Sequence, residues 1–353
     1  MNEELVRPAV KDIPDYVPGK SAPGAIKLSS NENPFGPSPK ALRAIAKAGK
    51  GLQAYPDQMS INLRQALASR FKLPVESFIC GNGADDILQI IGETYIKAGD
   101  EVIVSKNVFS VYELIARLYD GELVFVPLRD FELDLNAIAA AVTPKTKIIF
   151  LTNPNNPTGT IFSASQFDAF MKIIPESVLV VVDEAYAEFS ASKDFPKTID
   201  YVKSGAKVLV IRTFSKYYGL AGLRAGYCIG RPELIAPMFK TKMPFNVNRL
   251  AQAGAIAALG DSVFLKKTYQ NNLTEKTRLY REFESLGLEY KESEANFILV
   301  NIKRPAKDFC QELIGLGVSV RPLTSFGFPE AIRISIGTPT QNKKLIAALK
   351  KAL

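Results

Sequence analysis

Three short apolar runs, each followed directly by polar residues, most constrain how this chain can fold. They span residues 147–150, 178–182 and 208–211 and are rich in branched aliphatic side chains. Runs of this kind are typical of strands buried on both faces of a parallel sheet. Strand and helix patterns also alternate from residue 122 to residue 227, which predicts βαβ units. The residues after the three runs should therefore meet at one edge of the sheet, where such proteins hold ligands.

Groups that suit a phosphate surround a lysine after the third run. Thr213 and Ser215 offer hydroxyls, Arg224 offers a guanidinium, and Lys216 lies between them. A lysine at a strand end can form a Schiff base with an aldehyde, so this combination indicates pyridoxal phosphate. Taken alone, Lys216 would be interpreted as an exposed loop lysine.

The ends of the other two runs favour the cofactor interpretation. Asp183 follows the second run, where a carboxylate can keep a pyridine nitrogen protonated and make the ring an electron sink. Asn156, in the loop after the first run, adds an amide at a third strand end. Main-chain amides at a helix N-terminus also bind phosphate. The glycine turn before a predicted helix supplies Gly83, Ala84 and Asp85 as candidates.

These residues resemble the fold-type I pyridoxal-phosphate aminotransferases and, within them, the histidinol-phosphate aminotransferases. The resemblance extends almost end to end and rests on Asn-Asn-Pro-Thr-Gly at 155–159, Asp-Glu-Ala-Tyr at 183–186 and the eight-residue step from Lys216 to Arg224. It implies an α/β fold in which a large domain has a mainly parallel central sheet flanked by helices, with a smaller α+β domain. The expected bounds are 1–28 for an N-terminal arm that packs with the small domain and active site, 29–246 for the large cofactor-binding domain and 247–353 for the small C-terminal domain.

The same resemblance implies roles for residues around the cofactor. Lys216 would form the Schiff base and carry the proton, Asp183 would pair with the pyridine nitrogen, and Phe109 would stack on the ring. Asn156 and Tyr186 would hydrogen-bond the phenolic oxygen. The phosphate would be held by Thr213, Ser215, Arg224, the amides of Gly83, Ala84 and Asp85, and Tyr55 from the other subunit of a homodimer.

For the substrates, the resemblance implies transamination of L-histidinol phosphate with 2-oxoglutarate. The products would be imidazole acetol phosphate and L-glutamate, formed by ping-pong kinetics in histidine biosynthesis. Asn33 would lie near the substrate carboxylate. Arg333 would bind the anions of both substrates through its paired donors, and Arg321 and Tyr16 would complete the phosphate end. Without the resemblance, Arg333 would be interpreted as a solvated residue of an alternating strand.

Composition limits the chemistry and the partners. The chain has no histidine, which excludes Ser-His-Asp and Cys-His mechanisms and His-ligated metal sites, so we expect no metal. Three widely separated cysteines indicate a reducing compartment, and neither a signal peptide nor a run long enough to cross a bilayer is evident. We therefore expect a cytoplasmic protein without membrane contact. The net charge of +8 is scattered, which favours small anionic ligands over nucleic acid.

Three other functions stay open at this point. An aromatic amino-acid aminotransferase and a threonine-phosphate decarboxylase share the same plan of cofactor residues. A non-catalytic sensor of pyridoxal phosphate would use the same fold, although the segment before residue 30 is too short for the DNA-binding domain that such a role normally needs.

Overall fold

A computed structural model describes residues 5–11, 13 and 22–353, which form two main apolar cores. The strands are β1 (Ile26–Lys27), β2 (Phe78–Gly81), β3 (Glu101–Ser105), β4 (Glu122–Val126), β5 (Thr146–Thr152), β6 (Leu179–Asp183), β7 (Val208–Thr213), β8 (Gly226–Ile229), β9 (Glu289–Tyr290), β10 (Phe297–Asn301), β11 (Val318–Ser319), β12 (Arg321–Pro322) and β13 (Ala331–Ser335). The helices are α1 (Pro8–Lys11), α2 (Pro39–Gly49), α3 (Ile61–Phe71), α4 (Ala84–Tyr95), α5 (Val111–Leu118), α6 (Leu135–Ala140), α7 (Ala164–Ile173), α8 (Thr198–Lys203), α9 (Pro232–Thr241), α10 (Arg249–Leu259), α11 (Ser262–Ser285), α12 (Ala306–Gly315) and α13 (Pro339–Ala352).

The larger core surrounds a seven-stranded sheet with the strand order β2-β8-β7-β6-β5-β3-β4. The five strands from β7 to β4 in that order are parallel, and near one edge β8 pairs antiparallel with both β7 and β2. The three runs identified in the sequence lie in β5, β6 and β7, which are almost completely buried. Their carboxyl ends lie side by side, since Asp183 pairs with Thr152 on one side and with Ile211 on the other. The mainly parallel central sheet is thus confirmed.

The smaller core is built on an antiparallel sheet with the order β12-β13-β10-β9. Ile332 and Ile334 belong to this core, so Arg333 between them points to the opposite face, as the alternation predicts. Arg333 is nevertheless buried rather than solvated. The apolar pattern at residues 318–320 predicts a strand of this smaller sheet, but β11 pairs with β1 in a separate parallel ladder, because β12 occupies the edge beside β13.

The domain bounds stay a prediction, and the two apolar cores show which segments pack together. Helix α10 packs against α2 and belongs to the larger core, whereas the smaller core takes residues of α11 only from Leu279 onward. The close packing of α10 depends on small residues: a Cβ at Gly254 would lie 2.9 Å from a methyl group of Leu223. The larger core therefore extends past residue 246. At the other end of the chain, Leu28 belongs to the smaller core.

Candidate active site

Strands β5, β6 and β7 bring an amide, a carboxylate and an amine to one edge of the large sheet. Asn156 lies in the loop after β5, Asp183 is the last residue of β6, and Lys216 follows the end of β7 by three residues. Parallel strands present their carboxyl ends at a common edge, which is why the sequence could predict this convergence.

Asp183 is the buried carboxylate of the site. Tyr112 donates its hydroxyl proton to Oδ2 at 2.8 Å, and the Ala185 amide donates to Oδ1 at 2.9 Å. Burial is the strongest influence and raises the pKa of Asp183 to about 6, although both hydrogen bonds act in the opposite direction. Each carboxylate oxygen can accept a further hydrogen bond, so Asp183 can still pair with a protonated pyridine nitrogen.

Tyr112 is a functional residue that sequence reasoning missed. It lies in α5 and is buried, and its ring stacks on that of Phe150 with the centroids 5.3 Å apart. Burial raises the pKa of its hydroxyl well above the ordinary value, so Tyr112 stays a proton donor to Asp183. In the sequence it appears only as one more apolar position of an amphipathic helix.

The phosphate-binding candidates contact one another around the start of α4. Thr213 Oγ1 donates to Ser215 Oγ at 3.0 Å, and Arg224 Nη1 donates to the same oxygen at 3.5 Å. Arg224 Nη2 donates to Asp85 Oδ2 at 3.1 Å. A Cβ on Gly83 would lie 2.5 Å from Arg224 Nη2, and Gly83 has a φ of +91°. Only glycine therefore allows the helix start to approach the guanidinium so closely.

This cradle fits the phosphate group of pyridoxal phosphate. Two hydroxyls, a guanidinium and the amides at the N-terminus of a twelve-residue helix supply donors to one anion. Gly226 completes the cradle, because a Cβ there would lie 2.6 Å from the carbonyl carbon of Gly83 and displace the turn. Together with Asp183 and Lys216, these donors match the phosphate, the pyridine nitrogen and the aldehyde of the cofactor.

Lys216 and Tyr186 are held by residues 30 and 31, which lie in the same segment as Asn33, the residue predicted to lie near the substrate. Lys216 Nζ donates to Ser30 O at 3.1 Å and lies 5.8 Å from the centre of the Tyr186 ring. The Tyr186 hydroxyl accepts a hydrogen bond from Asn31 Nδ2 at 3.0 Å. The Tyr186 ring packs edge-on against Phe297 with the centroids 5.0 Å apart.

Arg333 reaches the site from the smaller sheet. Its Nη1 donates to Asn156 Oδ1, and its Nη2 donates to Ser29 O at 3.1 Å. The guanidinium carbon lies 5.2 Å from the centre of the Phe297 ring. Arg321 is directly opposite Arg333 in the pairing of β12 with β13. Two neighbouring arginines suit a substrate with a carboxylate or a phosphate.

The amide of Asn33 contacts the protein itself. Nδ2 donates to Tyr217 O at 2.9 Å and to Thr268 Oγ1 at 3.2 Å, and Oδ1 accepts from the Phe35 amide at 3.0 Å. The side chain therefore stabilises a turn, and Asn31 is the asparagine placed beside the tyrosine hydroxyl of the site. Local spacing could not distinguish these two asparagines, because their partners are distant in the sequence.

Phe109, Tyr55 and Tyr16 complete the predicted set. Phe109 precedes α5, which begins at Val111, and its ring lies edge-on to that of Tyr112 with the centroids 5.9 Å apart. Stacking of Phe109 on a cofactor ring stays a prediction. Tyr55 is exposed, and Tyr16 lies outside the described residues.

Comparisons with known proteins agree with this geometry. Residues 23–349 match the family model for aminotransferase class I and II. A histidinol-phosphate aminotransferase of Moorella thermoacetica is 45% identical, covering 98% of this chain and 92% of that protein. One from Symbiobacterium thermophilum is 42% identical, covering 99% and 98%. The crystal structure of histidinol-phosphate aminotransferase from Sinorhizobium meliloti in complex with pyridoxal-5'-phosphate has a TM-score of 0.90 at 29% identity, covering 99% and 97%.

A parallel α/β sheet that gathers a lysine, a buried carboxylate and a phosphate cradle at one edge defines a fold-type I pyridoxal-phosphate transferase. The chain belongs to the class I and II aminotransferases. Within that family, its full-length similarity is to the histidinol-phosphate aminotransferases.

Proposed function

We propose that this enzyme transfers the amino group of L-histidinol phosphate to 2-oxoglutarate, with pyridoxal phosphate as its cofactor. The observation that carries the proposal is the placement of buried Arg333 against Asn156, with Arg321 on the adjacent strand. An arginine pair next to the cofactor residues suits a donor that is itself a phosphate ester. The names of the full-length relatives support the same donor.

The bound cofactor supplies an aldehyde and an electron-withdrawing ring, which together make the carbon next to the substrate nitrogen acidic. Lys216 provides the amine that takes and returns the proton at that carbon, a role that no histidine can fill in this chain. Asp183 holds the proton of the pyridine nitrogen, and Tyr112 and the Ala185 amide fix the direction of its two oxygens. Tyr186 donates to the phenolic oxygen.

The phosphate-binding groups would fix the position of the reacting atoms relative to Lys216. Thr213, Ser215, Arg224 and the amides at the start of α4 bind the phosphate. Thr213 ends β7, Ser215 follows that strand, Arg224 precedes β8, and the amides follow β2. The large sheet itself therefore fixes the phosphate position relative to Lys216. These residues would thereby keep the aldehyde of a bound cofactor within reach of the lysine amine.

Substitution of the two arginines tests the choice of donor. Arg333→Ala is expected to lower the specificity constants for both histidinol phosphate and glutamate, by roughly 100-fold, because a charged hydrogen-bonding partner is lost from each substrate. Arg321→Ala should lower the constant for histidinol phosphate more than that for glutamate. Histidinol without its phosphate should be a poor donor for the unmodified enzyme. Half-reactions followed by the visible absorbance of the cofactor give each constant separately.

The exposed Arg281 on α11 provides the matched control, and Arg281→Ala should leave all these constants unchanged. Equal efficiency with phenylalanine or tyrosine and with histidinol phosphate would replace the proposed donor by an aromatic amino acid. Release of carbon dioxide from threonine phosphate, without transamination, would favour the decarboxylase.

A homodimer is part of the proposal, and Tyr55 supports it. Tyr55 is 78% exposed, and its ring stacks on Phe245 with the centroids 4.6 Å apart. Other large apolar side chains are exposed on the adjoining segments, namely Leu52, Met59, Ile61 and Met243. An apolar surface of this kind is typical of a protein interface. We infer that it packs against a second copy, with Tyr55 directed to the phosphate of the other subunit.

Tyr55→Phe is expected to weaken cofactor retention, because it removes one hydrogen bond to a charged acceptor, worth roughly 1–3 kcal/mol. At limiting pyridoxal phosphate, mixing Tyr55→Phe with Lys216→Ala subunits should raise the activity, since one site of each heterodimer then carries both lesions and the other carries none. Titration of pyridoxal phosphate measures retention. No gain of activity, with subunit exchange demonstrated by mass spectrometry, would contradict the cross-subunit role.

We also propose a cytoplasmic location. Cys80, Cys228 and Cys310 are all buried and unpaired, which suits a reducing compartment. Across residues 5–11, 13 and 22–353, no helix combines the length and the apolar character needed to cross a bilayer.

A further inference from the structure

Three consecutive residues after β1 each contact a different functional group of the site. We call residues 29–31 the support segment. Its contacts are Ser29 O with Arg333 Nη2 at 3.1 Å, Ser30 O with Lys216 Nζ at 3.1 Å, and Asn31 Nδ2 with the Tyr186 hydroxyl at 3.0 Å. The first two contacts use main-chain oxygens, which any residue type provides. The third depends on the asparagine side chain.

Asn31 is itself fixed from several sides. It is 1% exposed, and its φ of 56° lies in the left-handed region, which asparagine tolerates better than most residues. Its main-chain amide donates to Ser335 Oγ at 2.8 Å, and Ser335 Oγ donates to Asn31 Oδ1 at 3.1 Å. Its carbonyl oxygen accepts from Asn296 Nδ2 at 2.9 Å. These contacts direct the Nδ2 group at Tyr186.

The direction of the hydrogen bond decides what Tyr186 can do. The Nδ2 group can only donate, so the Tyr186 oxygen is the acceptor and its own proton stays available for another partner. A hydroxyl that accepts one hydrogen bond also becomes a stronger donor in the next. We propose that Asn31 is a positioning residue that orients the Tyr186 hydroxyl as a donor to the phenolic oxygen of the cofactor. The inference rests on the proposed cofactor site and deepens it.

The test uses the pH dependence of the visible absorbance of the bound cofactor. A hydrogen bond from Tyr186 stabilises the anionic phenolic oxygen, so the loss of this hydrogen bond favours the protonated form of the bound cofactor. Asn31→Gly keeps the left-handed conformation accessible and removes the amide. It is expected to raise the pKa of the absorbance change by roughly 0.5 to 1 pH unit, the equivalent of one neutral hydrogen bond. The matched control is Asn107→Gly, because Asn107 is another asparagine in the left-handed conformation and its Nδ2 donates to Phe326 O.

A double-mutant cycle separates positioning from a general structural effect. If Asn31 acts through the tyrosine hydroxyl, Asn31→Gly should add no further rise in a Tyr186→Phe background. Should the glycine variant fail to fold, Asn31→Asp has the same shape, and as a carboxylate it can only accept. It would therefore compete for the Tyr186 proton, and it should raise the same pKa by about one pH unit or more.

Failure of the Asn31 inference can be distinguished from failure of the proposed cofactor site. A bound cofactor whose absorbance pKa is the same with and without the Asn31 amide would overturn the inference and leave the proposed function in place. An equal rise in the Tyr186→Phe background would also overturn it. If the unmodified protein showed no visible absorbance with pyridoxal phosphate, the proposed cofactor site would fail and the inference with it.

Discussion

Replacement of Lys216 by alanine is expected to lower the rate of transamination by roughly 10⁴-fold or more, since both the Schiff-base amine and the proton carrier are lost. No histidine in the chain can take over the proton transfer. Stopped-flow absorbance of the half-reaction with histidinol phosphate, together with steady-state formation of glutamate, measures the loss.

The same variant should still bind pyridoxal phosphate without a covalent bond, because Thr213, Ser215 and Arg224 are unchanged. Lys203→Ala is the matched control, since Lys203 lies on the surface of α8 and pairs with Asp200. Loss of a general base typically lowers a rate by about 10²-fold or more. Turnover by Lys216→Ala within about tenfold of the unmodified enzyme would therefore exclude this lysine from the mechanism.

Asp183→Asn is expected to lower the rate by roughly 10²–10³-fold while the protein stays folded, because a neutral amide cannot stabilise a protonated pyridine nitrogen as a carboxylate does. Steady-state kinetics with saturating cofactor measure this loss directly. Near-normal activity would exclude Asp183 as the partner of the ring nitrogen.

The substitution should also change how the stability of the cofactor-free protein depends on pH. Burial raises the pKa of Asp183 from 3.8 to about 6, so the folded state binds this proton more tightly than the unfolded state does. The stabilisation is therefore fully present below about pH 4 and is lost as the pH rises through 6. Between pH 4 and pH 8 the group costs the unmodified protein about 2 kcal/mol of unfolding free energy.

Asp183→Asn does not titrate, so its unfolding free energy should lack this decline. Urea denaturation of the cofactor-free proteins at several pH values measures the difference. Asp200→Asn, at an exposed position of α8, should follow the unmodified protein. Parallel stability curves for the Asp183→Asn and unmodified proteins would show that the carboxylate is not desolvated in the folded state.

Much of the site could be predicted because it follows from local pattern. The runs in β5, β6 and β7 indicate buried parallel strands, and parallel strands place Asp183 and Lys216 at one edge whatever the details of packing. Ser38 directly before Pro39 likewise predicts a helix start, and its hydroxyl accepts from the Ala41 amide at 3.1 Å, which confirms the N-cap.

The parts that could not be predicted depend on contacts between distant segments. Asn31 and Tyr186 are 155 positions apart, and Tyr112 and Asp183 are 71 apart. Neither pair follows any periodicity, because its geometry exists only after the sheets have packed. The capping group of a helix is also hard to predict: the pattern predicts a helix start near Ser60 and α3 does begin at Ile61, but the Ile61 amide donates to Asp57 Oδ2 at 2.6 Å instead of to Ser60.

The pairing of β1 with β11 has a consequence for how the enzyme is made. Ile26 pairs with Val318, so a ribosome must synthesise and release all the residues between them before this ladder can form. Contacts between such distant positions close late, because the entropy cost of the intervening loop comes first. A nascent chain that already contains the large sheet would thus have its phosphate cradle, whereas the lysine, tyrosine and arginine of the site would gain their common support only in the final stage of folding.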